Sequence, residues 1–108
     1  KLSLDFSLNI LKYSQLLYKA NQRIIADQLT RCGTSVGANI FESQNAESRP
    51  DFIHKMKIAA KELDESIYWL ILCRNTRNYP DVSELINTAQ SLGRLLGKII
   101  SSSKLKGK

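Results

Sequence analysis

The chain has 108 residues, with 16 basic and 10 acidic side chains, one histidine, two cysteines and a formal net charge of +6. That length supports one core and leaves no room for a separate catalytic module. No apolar run approaches the roughly 18 residues of a membrane span, and the first twenty residues lack the order of a signal peptide, so a soluble cytoplasmic protein with no membrane partner is expected.

Phe6, Ile10, Tyr13 and Leu17 recur at helical spacing and mark a first helix ending around Tyr18 to Asn21. A second runs from about Gln22 to Asn45. At 100° per residue Ile25, Leu29, Cys32, Val36 and Ile40 form its apolar stripe, Ala26, Gly33 and Gly37 one flank, and Gln28, Ser35, Asn39 and Glu42 the other. A glycine inside a helix costs about 1 kcal/mol relative to alanine, so Gly33 and Gly37 on one flank point to close approach by another backbone.

Ser48-Arg49-Pro50-Asp51 is a helix start, with a capping serine, a first-turn proline and an acid three residues after the cap. The third helix is expected from Arg49 to about Asn75. Its main stripe reads Phe52, Met56, Ala59, Ala60, Leu63, Ile67 and Leu70, and Cys73 falls off it. Ile58, Glu62, Glu65, Trp69 and Leu72 lie on nearly the opposite side, so the helix has two sides to bury and the second is expected against another subunit. Residues 75–80 break the pattern, and Asp81 or Asn78 can cap the last helix, with Val82, Leu85, Ala89, Leu92, Leu96 and Ile99 at bundle spacing. Ser101 to Ser103 and the lysines beyond are expected to fray, giving a bundle over 1–103 and a basic disordered tail over 104–108. Helices one and four each read as having one apolar and one wet side. Short connections make the predicted fold an all-α, antiparallel up-and-down four-helix bundle.

Acids on the second stripe of the third helix need partners if that stripe is dry. Arg31, Arg23, Ser35 and Asn39 are suitable, and Ser35, Asn39 and Glu42 with Glu62 and Glu65 are expected to form a polar seam that fixes packing register. Charge is uneven along the chain. Arg94, Lys98, Lys104, Lys106 and Lys108 follow Gly93 with no acid among them, leaving +1 for the rest. They read either as a solvated tail with cations complementing a helix dipole or as an electrostatic footprint for nucleic acid, the more effective if an oligomer repeats it.

The segments Gln28 to Ile40, Ala46 to Lys55, Lys61-Glu62 with Glu65, and Tyr68-Trp69-Leu70 together resemble the small four-helix-bundle proteins encoded in intervening sequences of bacterial 23S ribosomal RNA genes. The accessory variability determinants of diversity-generating retroelements belong to the same group. The resemblance implies a homopentamer with no known catalytic centre. For the retroelement members it further implies a basic ring-like surface that binds RNA or DNA and a reverse transcriptase partner. Glu42, Glu62 and Glu65 match the motif in a structural role. Phe41 departs from it, because a small residue or a second acid is usual after the Asn-Ile pair.

Catalytic and metal chemistry find little support. His54 is the one histidine, and its spacing from Asp51 matches half of a bundle di-iron motif, which needs two such pairs and further glutamates. Asp51 is better explained as a first-turn acid. Phosphate loops and nucleophile elbows are absent, and Cys32 and Cys73, without ligand spacing, read as reduced packed thiols. No enzyme, metal or cofactor is expected. A nucleic-acid-binding oligomer and a purely structural or protein-interaction oligomer remain as the two readings.

Overall fold

The computed structural model describes residues 2–106. Four helices account for most of them: α1 (Leu2–Lys19), α2 (Arg23–Ser43), α3 (Arg49–Arg74) and α4 (Ser83–Lys106), and there is no strand among the described residues. They pack into a compact body of 50 × 20 × 20 Å. Phe6, Ile10 and Leu17 of α1, Leu29 and Val36 of α2, Leu63 and Leu70 of α3, and Leu92 and Leu96 of α4 are closed to solvent and form a single core. Both α1 and α3 pack on α2 and on α4, without packing on each other, so they stand at opposite corners of the cross-section.

Local chemistry sets the helix ends. Ser48 is extended, its hydroxyl accepts the Asp51 N–H at 3.1 Å, and Pro50 occupies the first turn, where its missing N–H has no cost. Asn21 and Asn78 adopt left-handed backbone, φ 63° and 70°, a conformation asparagine tolerates better than most residues. These two connections share one end of the molecule, where Tyr13 donates to the Pro80 carbonyl at 2.8 Å and Tyr79 donates to the Gln22 side chain at 2.7 Å.

Three expectations change. On α3 the fully buried seam is Met56, Ala59, Leu63, Ser66, Leu70 and Cys73, so Cys73 lies on it and Phe52, Ala60 and Ile67 flank it half-buried. Ser66 fits there because its hydroxyl donates to the Glu62 carbonyl at 2.9 Å and lies 3.3 Å from the Cys32 sulfur. Helix α4 continues to Lys106, past the boundary drawn at 103, since serine continues a helix and no proline or glycine intervenes before Gly107. Finally, α1 is not wet on its outer side: Leu4, Leu8 and Leu11 are exposed there, away from the buried stripe.

Candidate functional site

The small residues of α2 meet α1. A Cβ on Gly33 would stand 2.7 Å from Ile10 Cγ2, and one on Gly37 would stand 2.7 Å from Ser7 Oγ and 3.5 Å from the Ser3 carbonyl. Neither position has room for a side chain without movement, so these glycines serve the fold of one chain. Beside them, Leu4, Ala38 and Phe41 border an open groove of about 750 Å³ with Thr34 and Glu42.

The polar flank of α2 meets α3. Arg31 reaches between two acids: its guanidinium lies 3.5 Å from Glu62 Oε1 and donates to Glu65 Oε2, the oxygen that also accepts from Trp69 Nε1 at 3.0 Å. Glu62, Glu65 and Trp69 are thus brought together. The other seam candidates bond elsewhere: Asn39 donates to the Ser35 carbonyl at 2.9 Å and lies 3.2 Å from its hydroxyl, within α2, while Glu42 pairs with Lys55 at 3.0 Å. They form three local sets. Arg31 and Glu42 are about half exposed, and ion pairs in such settings contribute about 0–1 kcal/mol. Ile58, Glu62, Glu65 and Trp69 are half-buried within one chain, with Trp69 against the core, and Leu72 is exposed.

Charge on α4 is arranged differently. Arg94, Lys98 and Lys104 are exposed, and among the described residues none pairs with an acid; Arg94 lies 3.1 Å from the Ser91 hydroxyl. Lys57 of α3 approaches Lys104, and this second ammonium holds Lys104 below the usual lysine range. Sequence reasoning missed Lys57 because its proximity to Lys104 is a product of α3–α4 packing, which helical phase along one helix does not give. The side chain of Lys106 and the whole of Lys108 lie outside the described residues.

Cys32 and Cys73 are buried, which pushes both thiols up and away from the reactive thiolate. His54 is exposed, and Asp51 accepts the Glu47 N–H at 3.2 Å as part of the cap of α3. Among the described residues no three His, Cys, Asp or Glu side chains converge as a metal site, and no helix is long and apolar enough to cross a membrane.

Against known proteins, the family of 23S rRNA-intervening sequence proteins matches residues 1–98. The chain belongs to this family. It is also similar to a crystal structure from Bacteroides thetaiotaomicron, a protein of unknown function from the S23 ribosomal protein family. The two share 36% identity and a TM-score of 0.87, over 92% of this chain and 94% of that one. The curated proteins give no match.

Proposed function

We propose that this family member is a non-catalytic subunit of a homo-oligomer, and that the cations late in α4, repeated by symmetry, bind the phosphates of RNA or DNA. Segregation of charge carries this reading. Every ion pair among the described residues joins α2 to α3, whereas Arg94, Lys98 and Lys104 have no acid to neutralise them and Lys57 adds a fourth cation. Unpaired surface cations in a repeated array raise the local potential and draw polyanions.

An antiparallel up-and-down order of the helices suits the pairings: Ser7 with Gly37, Ile10 with Gly33, Tyr18 with Asp27, then Arg31 with Glu65 and Glu42 with Lys55. As the chain advances along one helix, its contact on the next moves back toward that helix's start. Five subunits are what the family resemblance implies, and a reverse transcriptase partner is what its retroelement members imply.

Salt dependence of binding to fluorescent duplex DNA and to RNA tests the nucleic-acid role. Each neutralised phosphate of duplex DNA adds about −0.9 to the slope of log affinity against log salt. A steep slope that shrinks when Lys104, Lys106 and Lys108 become glutamine is expected. A flat response, or no binding at low salt, would leave an oligomer that contacts proteins only.

A further inference from the structure

We infer that the face on which α3 and α4 lie side by side is a track for one unpaired strand of nucleic acid, its phosphates gripped by lysines and an arginine of both helices and a base stacked on Tyr68. This rests on the nucleic-acid reading above and names the form of the polymer. Two contacts fix how the helices align: Leu63 Cδ2 lies 3.5 Å from where a Cβ on Gly93 would stand, and Lys57 approaches Lys104. Lys57, Lys61 and Tyr68 fall within about 40° of one another on α3 at 100° per residue, and the meeting of Lys57 with Lys104 places that side along the border with α4. On α4, Gly93, Gly97 and Lys104 lie toward α3, with Arg94 and Lys98 beyond the glycines. A Cβ on Gly97 would meet nothing within 4 Å. The strip between the two rows of cations therefore has bare backbone as its floor.

Charge and shape select the occupant. All five cations are exposed and none pairs with an acid among the described residues; Asp64 interrupts the α3 row, and Glu65 beside it is taken up by Arg31. Lys57 and Lys104 repel each other, and a phosphate between them turns that repulsion into attraction. Packed helices lie about 8–10 Å apart, so the strip has the width of one strand. From Lys57 to Tyr68 the row runs about 16 Å at 1.5 Å per residue, room for about four to five stacked nucleotides at 3.4 Å each. Tyr68 supplies what phosphate contacts do not. It is 59% exposed and stands edge-on to Trp69, with ring centroids 5.2 Å apart and planes at 70°. Trp69 is itself fixed, because its Nε1 donates to Glu65, which also accepts from Arg31. A ring braced in this way loses little freedom when a base stacks on it. Sites for single strands join a cationic groove to such rings, whereas the bases of a duplex are already stacked on one another and do not reach Tyr68.

The test is fluorescence anisotropy of the full chain with short labelled strands of thymidine or uridine nucleotides and with a labelled duplex of equal length. Tyr68 and Lys57 are exposed, so variants there keep their fold, which circular dichroism checks. The single strands bind more tightly than the duplex. Tyr68→Ala weakens single-strand binding roughly tenfold without changing its salt slope, and Tyr68→Phe, which keeps the ring, binds as the native chain does. Lys57→Gln instead makes the slope shallower by about 0.7, the share of one phosphate on a single strand. Preference for the duplex, native affinity in Tyr68→Ala, or an unchanged slope in Lys57→Gln overturns the track while general attraction for phosphates stands. A chain that binds neither form at low salt removes the nucleic-acid reading and this track together.

Discussion

Gly33 and Gly37 in α2 and Gly93 and Gly97 in α4 are separated by the same three residues, yet the two pairs do different things. In α2 a single added carbon collides with Ile10 or Ser7. In α4 it meets only Leu63 Cδ2 at an ordinary 3.5 Å from Gly93, and nothing within 4 Å of Gly97. Spacing alone therefore does not identify a close approach between helices; what stands opposite decides. The α1–α2 side is closed by packing inside one chain, whereas the outer side of α4 is left open, with glycine and unpaired cations at its surface.

The largest effect that can break this contrast is expected from Gly33→Ala. Ile10 is fully buried and cannot swing clear, so the usual cost of overpacking, about 1–3 kcal/mol, exceeds the helix gain of about 1 kcal/mol. Thermal unfolding should drop by several degrees; an unchanged midpoint would mean the α1–α2 contact yields easily. In Gly37→Ala the nearest atom is a rotatable hydroxyl, and Ser7→Ala in the same chain should recover whatever is lost.

Alkali should next distinguish the closed core from the open surface. Burial raises the Tyr13 hydroxyl and the Cys32 and Cys73 thiols, so the folded chain holds protons that the unfolded chain releases. Their contribution is fully present below the unfolded pKa values and declines as pH rises beyond about 8.5 for the thiols and 10 for the tyrosine. Urea midpoints measured upward from pH 8 should fall, with Cys32→Ala and Cys73→Ala together flattening the first part of the decline.

Gly97→Ala should raise stability by about 0.5–1 kcal/mol through helix propensity alone. A smaller assembly in that variant would show that a neighbour comes close to α4, and would break the contrast between the glycine pairs. The smallest effect is expected from Lys104→Gln, which removes the repulsion from Lys57: a slight stabilisation in dilute buffer that fades as salt screens the pair.

Helix existence was legible where local chemistry determines it. The Ser48 cap, the break around Asn78 and Pro80 and the apolar spacing of α4 are all realised. The phase of α3 was harder to read because Ser66 and Cys73 do not look like core residues until each finds its neighbour. The leucines of α1 were assigned to an ordinary helix because the buried stripe accounts for its fold by itself. At the candidate site, Arg31 was named as a partner for the acids from complementary charge alone. Asn39 and Glu42 were placed in the same seam because helical phase gives a side of a helix and not which atom on the next helix is within reach. Lys57 belongs to that same class of three-dimensional facts.

The two tyrosine tethers lie at one end of the molecule, tying the turn after α1 to the turn before α4. Among the described residues, the far end, where the start of α1, the connection around Asn45 and the close of α4 lie, is linked between helices by the exposed Lys55–Glu42 ion pair alone. Thermal opening should therefore spread inward from there, like a clamp hinged at its tyrosines, and backbone amides around Leu4, Ile40 and Ile99 should exchange with heavy water well before those around Leu17 and Val82.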